Sequence, residues 1–262
     1  MRFDVAGRSI FAATGGQPFA AERPAVVLLH GAGMDHTVWA LQTRYFAHHG
    51  RSVLALDLPG HGRSAGAPLA EVDALAGWLS DALAAVGARD VALAGHSMGA
   101  LVALAAAARP GAKLRALALL GAAPRMPVHP DLLAAAKAND HLAVDLVTAW
   151  GYGPAGQVGG NRAPGLWLRG GAERLLERAA PGVLYTDLAA CDAYAGAAAA
   201  AAEVACPCRV IVGSEDRMTP SKAGRKLAAA IPGAEAVEIA GAGHMMMLER
   251  PDETLDAMKA VL

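Results

Sequence analysis

Short, mostly unbroken apolar runs punctuate this 262-residue chain, and each ends at or shortly before glycine or a Pro-Gly pair. Val26-Val27-Leu28-Leu29-His30 meets Gly31, and Val53-Leu54-Ala55-Leu56-Asp57 meets Leu58-Pro59-Gly60. Val91-Ala92-Leu93-Ala94 stops at Gly95, and the run 114–120 stops at Gly121. Val210-Ile211-Val212 stops at Gly213, and Val237-Glu238-Ile239 ends shortly before Gly241. Continuous rather than alternating apolar runs of this length fit strands covered on both faces. Helix-like stretches separate them, for example at 69–86 and 222–230. That alternation predicts parallel pairing, because a parallel crossover needs about a dozen residues or more. The segment 3–13 is expected to be an antiparallel hairpin at the sheet edge.

From Pro124 to about Tyr185 the rhythm stops. Residues 131–150 and 166–180 read as helices, and no strand pattern stands between them. Residues 151–165 hold six Gly and two Pro and read as a mobile loop. The interval is too long for a simple connection. An inserted helical lid at 124–186 is therefore expected, dividing a core made of 1–123 and 187–262. The six alanines at 197–202 predict a further helix, since alanine has the highest helix propensity.

Composition sharpens this reading in one respect. The chain is 54% hydrophobic, with a mean hydropathy of +0.31. However, 64 of its residues are alanine. The surplus is small side chains rather than membrane-grade ones. A low charge content of 18% excludes compositional disorder. A net charge of -1 offers no field for phosphates or anionic lipid, so neither nucleic acid nor membrane is an expected partner. The stretch 91–108 lacks Asp, Glu, Lys and Arg, but Gly95, His96, Ser97 and Gly99 at its centre suit a turn better than lipid. Met1-Arg2-Phe3-Asp4 shows no signal-peptide pattern. Cys191, Cys206 and Cys208 are odd in number and suit reduced thiols. The expected location is the cytoplasm, with the chain a monomer or homodimer.

The chemistry concentrates where strand runs end. Gly95-His96-Ser97-Met98-Gly99 follows a strand run and opens an alanine-rich helix. In that context G-x-S-x-G places a serine on a tight strand-to-helix turn, facing the positive end of the helix dipole. Ser97 is thus the candidate nucleophile. Serine needs a base, and the base needs an orienting acid. His244 follows the last strand run, and Asp216 sits just past the run 210–212, with Glu215 as the alternative acid. The C-terminal ends of parallel strands share one edge, where ligands bind. Acyl transfer also needs two backbone N–H donors for the oxyanion. Met98 should give one and Ala32 the other, with Gly33 as second choice. Candidate pocket residues are Gly31, Gly33, His96, Trp150, Trp167, Met218 and Met245.

Together these residues resemble the α/β-hydrolase superfamily of serine hydrolases. The resemblance rests on Leu29-His30-Gly31-Ala32-Gly33 with Trp39 downstream, and on Asp57-Leu58-Pro59-Gly60-His61-Gly62-Arg63-Ser64. It also rests on the Ser97 elbow, the acid loop 213–220 and Gly243-His244. It implies an eight-stranded, mostly parallel sheet flanked by helices, and no cofactor. It implies that Asp57, His61 and Arg63 brace loops. Relatives with an elbow aspartate, the haloalkane dehalogenases and epoxide hydrolases, are excluded by Ser97. No His, Cys and carboxylate cluster shows metal-ligand spacing. The expected reaction is hydrolysis of a small-to-medium, neutral carboxylic ester. Lactone, thioester or carbon–carbon cleavage and acyl transfer are alternatives on the same triad, and a silent binding fold is a further one. Arg125, Arg162 and Arg169 are the cations expected to be able to reach the pocket.

Overall fold

Each apolar run is a strand of one sheet. In this computed structural model, residues 1–157, 159–160 and 167–262 are described. The strands are β1 (Arg2–Val5), β2 (Arg8–Ala13), β3 (Ala25–Leu29), β4 (Ser52–Leu56), β5 (Val91–His96), β6 (Leu114–Leu120), β7 (Cys208–Gly213) and β8 (Glu235–Ile239). Their order across the eight-stranded sheet is β1-β2-β4-β3-β5-β6-β7-β8. The hairpin β1–β2 joins antiparallel at the edge, and β4 through β8 pair in parallel. Every residue of β3, β4 and β5 is buried, which is why their sequences show no polar alternation.

Helices cover both faces. In chain order α1 (Ala40–His48), α2 (Val72–Ala85) and α3 (Met98–Ala107) precede β6. Between β6 and β7 the chain runs through α4 (Pro130–Ala138), α5 (Leu142–Gly151), α6 (Pro154–Gln157), α7 (Leu168–Glu177), α8 (Val183–Ala193) and α9 (Ala197–Ala202). Then come α10 (Ser221–Ala230), α11 (Met246–Glu249) and α12 (Pro251–Lys259). Leu75 and Leu79 of α2, α3, Ala201 of α9 and Leu227 of α10 share one core layer with Leu29, Leu93 and Val212. Trp39, Phe46 of α1 and Met258 of α12 fill the other, together with Leu132, Val144, Leu176 and Leu188 from the segment after β6. The alanine surplus has its clearest use in α3, where every residue from Met98 to Ala106 is buried. A helix walled in on all sides has no room for long side chains.

The segment after β6 departs from expectation in three places. Residues 131–150 are two helices rather than one. Asn139 breaks them in a left-handed conformation (φ 53°), and the Asp140 side chain accepts the Leu142 N–H to start α5. The expected loop 151–165 begins instead as the end of α5 followed by α6, with the Gln157 side chain bonded to the carbonyls of Ala149 and Tyr152. Residues 158 and 161–166 of that stretch, with Arg162 and the expected helix start at 166, lie outside the described residues. The expected boundary at 186/187 falls inside α8, which runs without a break to Ala193. No described helix is long and apolar enough to cross a membrane.

Candidate active site

Three loops at the C-terminal ends of β5, β7 and β8 carry the candidate residues. Ser97 sits between β5 and α3 with φ 54° and ψ -118°, a conformation costly for a residue with a side chain. The elbow can be this tight because its flanks are bare. A Cβ on Gly95 would lie 2.1 Å from the Gly99 carbonyl oxygen, and one on Gly99 would lie 2.5 Å from the carbonyl oxygens of Leu29 and His30. The Ser97 N–H donates to the Leu120 carbonyl (2.8 Å), fixing the turn to β6. Met98 opens α3, where first-turn N–H groups have no intrahelical acceptor.

His244 and Asp216 meet next to it. His244 Nδ1 donates to Asp216 Oδ2 at 2.8 Å, and both residues are buried. Thr219 Oγ1 donates to the same oxygen at 2.7 Å. Asp216 Oδ1 accepts the N–H groups of Met218 (2.9 Å) and Thr219 (2.8 Å). Burial alone would raise the Asp216 pKa. The charge and hydrogen bond of His244, with the Thr219 bonds, outweigh it and hold the carboxyl below its usual 3.8. The rival acid, Glu215, is exposed and makes no bond to His244. His244 Nε2 is buried and makes no hydrogen bond. Thr219 had no motif to announce it, and its signal was only its place three residues after Asp216.

The loop after β3 is built on His30. Its Nδ1–H donates to the Gly31 carbonyl (2.9 Å), and its Nε2 accepts the Leu58 N–H (3.1 Å), so the ring is neutral. Burial first, and neighbouring His61 second, push its pKa down to about 4. Ala32 lies in the wall of the cavity that Ser97 lines. Gly33 does not, and its N–H is already given to Asp187 Oδ2 at 2.7 Å. Gly31 packs under the site, where a Cβ would come within 2.9 Å of His96 Nδ1 and 3.2 Å of Ser97 Cβ. Asp57 braces the neighbouring turn, accepting from His36 N–H and Nδ1 and from the Arg63 N–H. One oxygen each of Asp57 and Asp35 and one ring nitrogen of His36 lie within 4.8 Å of one another, a cluster that the sequence spacing hides. Asp35 is occupied as well, accepting from Thr37 N–H and Oγ1.

The cavity holds about 390 Å³. Ser97 and His244 lie on its wall with Ala32, Trp150, Met218 and Met245. Much of the remaining wall is apolar and comes from the segment after β6, including Leu132, Val147, Leu176 and Leu188. Four expected pocket residues lie outside this wall: Gly31 and Gly33, described above, and His96 and Trp167. His96 is fully buried behind the site, where its Nε2–H donates to the His244 carbonyl at 3.0 Å. Trp167 is 60% exposed, its ring folded over Gly170, and it lines only an adjoining cleft. Of the expected cations, Arg169 is bound to Glu173 and Gln157, and Arg125 is exposed and outside the wall. Among the described residues the arginine that contributes to the wall is Arg217, which is exposed and was not among the expected cations.

Known proteins share this architecture. A pimeloyl-(acyl-carrier protein) methyl ester esterase from Aromatoleum aromaticum is 33% identical over 88% of this chain and 95% of its own length. An (E)-2-((N-methylformamido)methylene)succinate hydrolase from Acinetobacter baylyi is 28% identical over 90% of this chain and 89% of its own. The crystal structure of an enol-lactonase from Burkholderia xenovorans superposes with a TM-score of 0.88 at 24% identity, covering 99% of this chain and 98% of that one. A thermophilic esterase structure superposes with a TM-score of 0.81 at 29% identity, over 99% and 95%. Residues 26–257 match the model of the alpha/beta hydrolase family. With the sheet order, the elbow and the order of the strand-end loops, that match places the chain in the alpha/beta hydrolase family.

Proposed function

We propose that this protein is a serine hydrolase of carboxylic esters working through an acyl-enzyme. One observation carries the reading: His244 gives its Nδ1–H to Asp216 and leaves Nε2 without a hydrogen bond, and His244 and Ser97 line the same cavity. In the proposed mechanism Nε2 takes the Ser97 proton as Oγ attacks the ester carbonyl. The N–H groups of Met98 and Ala32 receive the developing oxyanion. His244 returns the proton to the leaving alcohol, then activates the water that releases the acid. Asp216 keeps the hydrogen on Nδ1 and stabilises the imidazolium.

The apolar wall favours a small-to-medium acyl chain without charge along its length. Ester hydrolysis is also the family-level activity of the relatives. The helices after β6 act as the roof or lid of this pocket, and the unpaired cysteines fit a cytoplasmic enzyme. A second reading is favoured by Arg217, whose guanidinium could pair with a carboxylate at the far end of the substrate. Monomethyl adipate compared with methyl hexanoate separates the two.

The test of the main reading is hydrolysis of short p-nitrophenyl esters, with fluorophosphonate labelling alongside. Turnover and labelling are expected for the wild type and neither for Ser97→Ala, at unchanged melting temperature. Equal turnover by Ser97→Ala would overturn the mechanism.

A further inference from the structure

Asp187 lies on α8, 154 residues from Gly33, and is 1% exposed. Its Oδ2 accepts two hydrogen bonds at once, from the Gly33 N–H (2.7 Å) and from His61 Nε2 (2.7 Å). The other ring nitrogen of His61, Nδ1, lies 2.9 Å from the Pro59 carbonyl oxygen. A carbonyl oxygen and a carboxylate both accept only, so both nitrogens must carry hydrogen, and His61 is an imidazolium. The structure thus buries an ion pair directly behind the residue that follows Ala32.

A buried ion pair adds little net stability over an apolar pair of the same size. What it supplies is a fixed direction. Gly33 adopts φ +68°, so its N–H is turned out of any regular pairing and is held by Asp187. We propose that Asp187 is a positioning residue: with His61 it locks the Gly31–Gly33 turn so that the Ala32 N–H stays aimed at the oxyanion. The proposal rests on the serine-hydrolase reading above. It makes the segment after β6 part of the apparatus as well as the pocket wall.

The charges around His61 agree with this arrangement. Burial would lower its pKa, but the hydrogen bond and charge of Asp187 outweigh burial and raise it. From the loop after β3, His30 faces it with ring centres 4.9 Å apart, and His30 is neutral. From the end of β4, Asp57 adds negative charge while holding His36. From α8, Cys191 stays a thiol, its pKa raised by burial and by the charge of Asp187.

The experiment compares Asp187→Ala, Asp187→Asn and Ser97→Ala with the wild type on p-nitrophenyl esters across pH, with melting curves for each. Removing the acceptor is expected to lower kcat about 100-fold, the cost of a misplacement of roughly 1 Å, with KM almost unchanged. Affinity for an alkyl boronic acid, a tetrahedral adduct former, should fall in proportion to kcat. In Asp187→Asn the carboxamide oxygen can still accept both bonds, but the charge is gone. His61 then loses its proton at lower pH, and the alkaline fall of kcat moves to lower pH. A kcat within about threefold of wild type in Asp187→Ala, or an unmoved alkaline limb in Asp187→Asn, would overturn the proposal. If Asp187→Ala fails to fold, Asp187→Asn decides alone. Activity retained by Ser97→Ala sinks the serine reading itself; an inactive Ser97→Ala beside unaffected Asp187 variants sinks only this inference.

Discussion

Replacing Asp216 with asparagine tests the proposed division of labour between the two histidine nitrogens. Asp216 accepts four hydrogen bonds, two on each oxygen. The two on Oδ1 come from backbone N–H groups, which cannot turn round. An asparagine must therefore keep its carbonyl oxygen on that side. Its NH2 group then faces Thr219 Oγ1 and His244 Nδ1. The hydroxyl can rotate to accept, but Nδ1 can accept only by giving up its hydrogen, which moves to Nε2. A protonated Nε2 cannot take the Ser97 proton. The expected loss in kcat is about 10⁴-fold, the scale of a wrong tautomer in a serine triad, or about 5.5 kcal/mol in the barrier. KM and fold should change little, because the backbone bonds survive. The assay is kcat on p-nitrophenyl butyrate near neutral pH, with Glu215→Gln as a control expected to match wild type. A loss below tenfold, or an equal loss in Glu215→Gln, would refute the argument.

Glu249→Ala should unfold at a lower urea midpoint. Glu249 is buried and its two oxygens accept the N–H groups of Gly153 (2.8 Å) and Gly243 (2.9 Å), and each orphaned donor costs about 1–3 kcal/mol; an unchanged midpoint contradicts this. His30→Gln should flatten the acid dependence of stability. The pKa of His30 falls from 6.5 to about 4 on folding, so below pH 6.5 the unfolded chain binds a proton that the folded one does not. Stability then drops by about 1.4 kcal/mol per pH unit, about 3 kcal/mol in all. Equal pH slopes for variant and wild type in urea titrations would count against the neutral His30. Val147→Phe, in the cavity wall, should spare butyrate esters and penalise octanoate esters, at about 0.8 kcal/mol for each methylene denied burial. A uniform loss across chain lengths would mean that Val147 does not bound the acyl site.

Most of the core could be read from the chain because its signals are local. The strands β3 to β7 announce themselves as largely buried runs ending at or near glycine, while β8, buried only at Ile239, shows a shorter and weaker pattern. Ser97, Asp216 and His244 each lie just beyond such a run, so strand order alone brings them to one edge. The misreadings share a different cause. Asn139 and Asp140 divide a helix by a backbone conformation and a two-residue side-chain bond, which leave the apolar periodicity intact. The glycine count of 151–165 concealed a short helix held by Gln157. Trp167 turned outward because its ring found a place over Gly170. Asp187 and Glu249 act across separations of 154 and 96 residues. No spacing rule reaches that far.

The two buried carboxylates differ in what they ask of their partners. Glu249 belongs to the core and grips the segment after β6 by the backbone N–H of Gly153, a position where a Cβ would lie only 3.1–3.3 Å from Gly243 N, Glu249 Oε2 and Glu215 Cβ. Asp187 belongs to that segment and reaches back with its own side chain. One attachment therefore asks for a small residue but no particular side chain, while the other is written into α8. A related pocket grafted onto this core would keep the first attachment wherever a small residue stands at position 153, and lose the second unless a carboxylate came with it. Exchange of substrate specificity between such enzymes should thus succeed or fail on a residue that touches no substrate.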